Sequence, residues 1–232
     1  MKKLHSHSEN LQVLYEDNHL IAVNKRCGDL VQGDATGDTP LSEIVKEYIK
    51  VKYNKPGKVF LGVIHRLDRP TSGVVIFART SKALTRMNAV FKDHKAQKTY
   101  WAIVKNMPKS EKATLVHWLK RNTQKNMSTA FDAEVKESKK AILEYSLLNK
   151  SDRYFLLNVN LFTGRHHQIR AQLSKIGSPI KGDLKYGYPR SNVDGGIDLH
   201  ARSLSFTHPV TQKEVMIVAP TPNNALWNYF SE

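Results

Sequence analysis

Two short, unbroken apolar runs, residues 59–64 and 73–78, flank the polar stretch His65-Arg66-Leu67-Asp68-Arg69-Pro70-Thr71-Ser72. Each run has the length of a buried strand. The polar stretch is therefore expected to be a loop at the mouth of a rigid sheet, where binding and catalytic side chains tend to sit. Asp68 is its only carboxylate, with Arg66 and Arg69 beside it. Pro70 restricts the residue before it, and Ser72-Gly73 can turn tightly. Taken alone, the plainer reading of this loop is a charged turn whose aspartate caps its own backbone.

The rest of the pattern is of the same kind. Residues 11–23 read as a strand, a turn at Asp17-Asn18-His19 and a second strand. Thr39-Pro40 opens a helix with a hydroxyl cap, carried on by Leu41, Ile44, Val45, Tyr48 and Ile49. Thr80 or Ser81 caps a second helix bearing Leu84, Met87, Val90 and Phe91. Residues 98–104, 141–148 and 154–162 are predicted strands, and 105–140 reads as an irregular basic insert. After a turn at Thr163-Gly164, a helix carries Ile169, Leu173 and Ile176 and closes at Gly177. Strands outnumber helices at hairpin-like spacing, so the fold class is α+β around a mainly antiparallel sheet. Residues 1–10 are expected to be a flexible tail and 11–232 a single domain.

The 232 residues carry 36 Lys+Arg against 21 Asp+Glu, a formal charge of +15. That much self-repulsion favours a polyanionic partner, nucleic acid before anionic membranes or acidic proteins. With one cysteine, Cys27, there is no disulfide framework and no cysteine-based zinc site. Cys27 reads as a small buried side chain. No run of about 18 apolar residues occurs, and the first residues lack a signal-peptide pattern. A cytoplasmic protein is expected, with no membrane contact.

A second constellation is Thr163-Gly164-Arg165-His166-His167-Gln168-Ile169-Arg170. An arginine at a strand-to-helix junction can hold a carboxylate bidentately and keep it ionised. A basic turn facing phosphates, or a surface ion pair, explains it equally. His166 and His167 are adjacent on the chain, and no further ligand spacing supports a metal.

The nine residues from His65 to Gly73 resemble the signature of the RluA-type RNA pseudouridine synthases. Tyr15-Glu16-Asp17-Asn18 and Val23-Asn24-Lys25 are similar to that family's opening segment, Lys98-Thr99-Tyr100 to its second motif and residues 161–170 to its third. Gly182-Asp183-Leu184-Lys185-Tyr186-Gly187 and Leu199-His200-Ala201 are similar to later segments. The set, in order, extends over about residues 11–220.

The resemblance implies a catalytic domain around a long, largely antiparallel mixed sheet, and isomerisation of a uridine in tRNA or ribosomal RNA without cofactor or metal. It makes Asp68 the catalytic carboxylate, Tyr100 the aromatic against the target base, Arg165 the partner of Asp68 and Leu199 an apolar wall. Arg66 would face the RNA, and His65, Arg69 and Arg170 are taken as further RNA contacts. Lys120 and Arg121, in the basic insert, are added for their charge, with Trp118 among them either stacking on a base or anchoring the insert. Arg26-Cys27 stands where many relatives have a proline-containing loop. Neither an S4-type domain nor an oligomer is expected. The alternative is an RNA-binding protein that uses the same fold without catalysis, against which the retained Asp68, Tyr100 and Arg165 speak.

Overall fold

The computed structural model describes residues 5–34 and 36–231. In chain order the elements are β1 (Val13–Glu16), β2 (Leu20–Lys25), α1 (Leu41–Lys52), β3 (Gly62–Val63), β4 (Ser72–Ala78), α2 (Ser81–Lys92), β5 (Gln97–Val104), β6 (Lys112–Asn122), β7 (Met127–Phe131), β8 (Lys139–Lys150), β9 (Phe155–Leu161), α3 (Gln168–Lys175), β10 (Leu199–Thr207), β11 (Glu214–Val218) and α4 (Ala225–Ser231), with a single 3-10 turn at Leu184–Tyr186 before β10. The architecture is α+β, and every strand register described is antiparallel. The chain forms two compact units. One runs up to Ala96 and takes in Ala201–Pro222; the other is Gln97–His200 with the residues from Asn223 on.

In the first unit the strands run β1-β2-β4-β10, with β11 on β10 and β3 on β4. Every residue of β4 is buried, as its unbroken apolar run requires. One face packs Leu20, Ala22, Val74 and Ile76 against Met87 and Ala83 of α2. Thr80 caps that helix, accepting from the Ala83 N–H at 3.1 Å. The β1-β2 turn is set by Asp17, whose Oδ1 accepts from the N–H groups of His19 and Leu20, both at 2.7 Å.

Three local expectations are corrected here. Thr39 does not cap α1: Pro40 holds the cap position without a side-chain bond. The first free N–H groups of the helix, Leu41 and Ser42, go to the carbonyls of Leu30 and Val31, so tertiary backbone acceptors replace the hydroxyl. The run 59–64 yields only the two-residue β3. Past it, the His65 imidazole takes over the ladder, its Nε2 accepting from the Ile76 N–H at 3.2 Å. Residues 5–10 are not a loose tail: Ser6 is buried, and its N–H and hydroxyl both donate to Asp29, at 3.1 and 2.6 Å. Residues 1–4 lie outside the described residues.

In the second unit the order is β5-β9-β8-β6-β7. The stretch 105–140, expected to be irregular, is largely the β6-β7 hairpin and the start of β8. Its period of two is hidden because Val116 and Trp118 stand in the outer, more exposed row of β6, while a histidine, His117, interrupts the inner row. His117 is buried, paired through Nδ1 with the Gln172 amide of α3 at 3.0 Å. Leu119, Ala130, Ala141, Ala171 and Tyr186 form the small core beneath this hairpin. Helix α3 ends as its glycine predicts. Gly177 has φ +81, its N–H reaches Ser174 O, and the Ser178 N–H reaches Leu173 O, which is a Schellman closure.

Candidate active site

The loop that carries Asp68 is held from several sides within the first unit. Its backbone closes a turn in which the Thr71 N–H donates to Asp68 O at 3.0 Å. Leu67 is buried, Asp68 half-buried and Arg66 exposed. Behind the turn, the fully buried Lys25 ammonium donates to three carbonyls: Thr71 at 2.7 Å, and Arg69 and Arg26 at 3.0 Å each. Burial pulls its pKa down to about 8, while Asp29, Cys27 and Asp68 favour the charged form. The Gly28 N–H also donates to Arg69 O at 2.9 Å. Gly73 closes the loop with φ +113, and a Cβ on it would lie 2.3 Å from the Ala201 carbonyl oxygen. Only glycine lets the loop enter β4 there.

Arg26 leaves this loop well formed. Its guanidinium donates to Asn10 O at 3.1 Å and its N–H to Asp29 at 3.3 Å. Cys27 is half-buried rather than fully enclosed.

Two residues expected to contact RNA, His65 and Arg69, also hold the loop. His65 has Nε2 committed to the Ile76 N–H, and its ring stacks on Phe91 at 5.0 Å. Arg69 donates from Nε to Gly28 O at 3.1 Å and pairs with Asp38. Both contact backbone and side chains that the sequence does not place beside them, and Arg69 keeps a partly exposed side chain.

Tyr100, Arg165 and Leu199 belong to the second unit. Tyr100 is buried on β5 in the row with Ala102 and Val104, and Leu199 is buried at the start of β10. Lys98 lies in the same row as Tyr100, and burial lowers its pKa. Its Nζ is 3.5 Å from where a Cβ on Gly164 would stand. Arg165 is exposed on the turn between β9 and α3, donating from Nε to Lys140 O at 3.0 Å.

Gln168, unremarked in the sequence, builds that turn. Its Oε1 accepts from the Thr163 hydroxyl at 2.8 Å and the Arg165 N–H at 3.0 Å, while its amide donates to Ile142 O at 3.0 Å. A buried side-chain amide between two elements shows no periodicity that would single it out.

Arg170 is corrected from RNA contact to framework. It is buried and grips the buried Asp183 bidentately, Nε to Oδ2 at 2.7 Å and Nη2 to Oδ1 at 2.8 Å. Nη1 pairs with His167 Nε2 at 3.1 Å, and the guanidinium lies 5.0 Å from the Tyr186 ring centre. Burial first, then the Arg170 charge, drives the His167 pKa down to about 2. The imidazole is therefore neutral, accepting from Arg170 and directing Nδ1 at the Tyr186 hydroxyl, 2.9 Å away. His166 stacks on it at 3.8 Å and pairs with Ser128 and Asn126. Among the described residues, no cluster of three or more His, Cys, Asp or Glu is arranged to hold a metal ion. No helix among them is long and apolar enough to cross a membrane.

The arrangement supplies a carboxylate on a stiffened turn in one unit, and a buried tyrosine and leucine with an exposed arginine in the other. Comparison with known proteins gives this a name. The sequence model of the family described as RNA pseudouridylate synthase matches residues 19–175. The tRNA pseudouridine synthase C of Vibrio parahaemolyticus is 32% identical over 227 residues, which cover 90% of this chain and 89% of the relative. An uncharacterised RNA pseudouridine synthase of Synechocystis is also 32% identical, over 91% of this chain and 66% of its own length. The fold matches the solved human RNA pseudouridylate synthase domain containing 4, with a TM-score of 0.77 over 94% of this chain and 91% of that one, at 21% identity. On these grounds the chain belongs to the RNA pseudouridylate synthase family.

Proposed function

We propose that the protein converts one uridine of a structured RNA to pseudouridine, with Asp68 as the catalytic carboxylate, and that the RNA is a tRNA. The choice of tRNA over ribosomal RNA rests on the Vibrio relative named for tRNA, which is matched along nearly its whole length. The uridine leaves its stack before the enzyme reaches the glycosidic bond. The C1′–N1 bond breaks with Asp68 acting at the sugar or the base. The uracil turns over, C1′–C5 forms, the C5 proton leaves and N1 takes one up, so atoms balance as an isomerisation.

Rotation asks for a flat apolar pocket with few hydrogen bonds, which Tyr100 and Leu199 suit, both being buried. Tyr100 is also a candidate to remove the C5 proton. Arg165 is the cation of the proposed site. Arg66, Lys120 and Arg121, all at least partly exposed, contact RNA phosphates. The enzyme acts as a cytoplasmic monomer without cofactor or metal.

The observation that carries this reading is the turn 68–71, held by the Lys25 ammonium through the carbonyls of Arg69 and Thr71. A carboxylate so fixed can be presented to a substrate without first being ordered. The test maps pseudouridine in total RNA, by carbodiimide-dependent reverse-transcription stops, in cells with the gene intact, deleted, or restored as Asp68→Asn. One tRNA site should vanish on deletion and stay absent with the variant, while purified Asp68→Asn still binds that tRNA. Normal modification by Asp68→Asn would refute the assignment. Loss of no site at all would favour a binding role without catalysis.

A further inference from the structure

The β6-β7 hairpin carries a groove that the isomerisation itself does not need. It has a volume of about 350 Å³ and is lined chiefly by Lys120, Arg121, Asn122, Gln124, Thr129 and Phe131. That volume is near the lower end of ligand sites, which span roughly 300–1,000 Å³. It suits a single nucleotide rather than a duplex. The lining chemistry is divided in the same way. Along the hairpin Phe131 lies farthest from the turn, Lys120 with Thr129 opposite it and then Arg121 come next, and the amides of Asn122 and Gln124 lie at the turn end.

The cations are available at little cost. Lys120 pairs with Glu137, at 3.2 Å, across a surface where both side chains are well exposed, and such a pair contributes about 0–1 kcal/mol. Arg121 is exposed. Phe131 is half-buried and is the cross-strand partner of Trp118 in the β6-β7 register.

The hairpin is also anchored, not dangling. At its turn, Asn126 O accepts from the Lys185 ammonium at 3.2 Å, and Asn126 Oδ1 pairs with His166 Nε2 at 3.2 Å. Ser128 Oγ pairs with His166 Nδ1 at 2.9 Å, and the Ser128 N–H donates to the Tyr186 hydroxyl at 2.8 Å. His166 stands next to Arg165. The groove is therefore held in fixed relation to the turn that bears the arginine of the proposed site, which lowers the ordering cost of any ligand it takes.

We propose that this groove is a second RNA subsite, which takes one unpaired nucleotide other than the uridine being isomerised. Its phosphates lie on Lys120 and Arg121 and its base stacks on Phe131, with the Thr129 hydroxyl, opposite Lys120 in the register, beside the base. The occupant is RNA rather than an acidic peptide because the groove combines cations with an aromatic ring and amide pairs, where a carboxylate chain needs only the cations. This rests on the RNA reading above and adds to it the place where a part of the substrate away from the target uridine is bound.

The test uses full-length protein carrying Asp68→Asn, so that turnover does not alter the RNA, with bulk deacylated tRNA and a 4-thiouridine-substituted 20-nucleotide oligouridylate as probes. Photocrosslinking followed by peptide mapping should place an adduct within residues 120–131. Lys120→Ala with Arg121→Ala should reduce the slope of log Kd against log salt by about 1.4, since each single-strand phosphate that a cation neutralises adds about 0.7 to it. Phe131→Leu, which keeps an apolar side chain beside Trp118, should weaken binding about tenfold with an unchanged melting temperature. An unchanged salt slope with no adduct in the hairpin would overturn the proposal. So would an unchanged affinity for Phe131→Leu with polyglutamate displacing the RNA as well as RNA displaces itself, since the groove would then read charge alone. Failure of the wild-type protein to isomerise any uridine would defeat the proposed reaction and leave this binding result standing.

Discussion

Arg170→Met separates a framework arginine from an RNA-facing one. In the structure the side chains of Arg170 and Asp183 are 5% and 1% exposed, and two short charge-assisted bonds join them. Replacing the arginine leaves a carboxylate in a site almost without water, and breaking such a pair costs about 3–5 kcal/mol. The variant also strips His167 Nε2 of its donor. For a chain of this size each kcal/mol moves the melting temperature by roughly 2–4 °C, so a fall of about 6–20 °C is expected. The control is Arg165→Met, where an exposed guanidinium with one carbonyl bond is removed and the change should stay within about 0.5 kcal/mol. The double variant Arg170→Met with Asp183→Leu should recover part of the loss, because a buried ion pair replaced on both sides by apolar groups is often neutral. Thermal unfolding followed by circular dichroism at pH 7 measures all four proteins, and tRNA binding is read on the same samples. If Arg170→Met melts within 2 °C (about 1 kcal/mol or less) of wild type and loses only RNA affinity, the argument from burial is wrong and the residue faces the substrate.

His167 makes stability acid-sensitive. Its folded pKa is about 2 against about 6.5 unfolded, so above pH 6.5 neither state binds the proton and nothing is lost. Below that the unfolded chain takes up a proton the folded one refuses. At pH 5 the loss is at most about 2 kcal/mol, less what residual solvent returns. His167→Asn, whose side chain tolerates the left-handed conformation at φ +54, should lose less melting temperature between pH 7 and pH 5 than wild type does; equal losses would remove His167 from the acid response. Gly73→Ala should fail to give soluble folded protein, because its Cβ would meet the Ala201 backbone, whereas Gly187→Ala, at φ +94 with nothing near, should fold with a loss of about 1–3 kcal/mol. Similar melting curves for the two would show that the close approach at Gly73 does not bind the loop.

What local chemistry governs was legible along the chain. The buried run after residue 72, the Thr80 cap and the Gly177 closure all depend on neighbours within a few residues and appear where the pattern puts them, whereas the run 59–64 forms only the short β3. The β6-β7 hairpin was not legible, because Val116 and Trp118 stand in its more exposed row and its buried row contains His117, whose amide partner, Gln172, lies 55 residues away. Nor were the partners of His65, Arg69 and Arg170. A histidine or arginine beside a catalytic motif carries the same donors and charge whether it faces a phosphate or a buried carboxylate.

Thus the sequence by itself determined the α+β class, the family and the position of Asp68, since periodicity, turn residues and motif order are properties of the linear chain. Which cations remain for RNA was decided only by the tertiary structure. It commits Lys25 to three carbonyls, His65 to the Ile76 N–H and Arg170 to Asp183, and it leaves Arg66 and Arg121 exposed and Arg69 and Lys120 partly so. The reason is that burial and pairing are set by segments far apart along the chain, and a charge has a different role once its solvent has been replaced by a fixed partner.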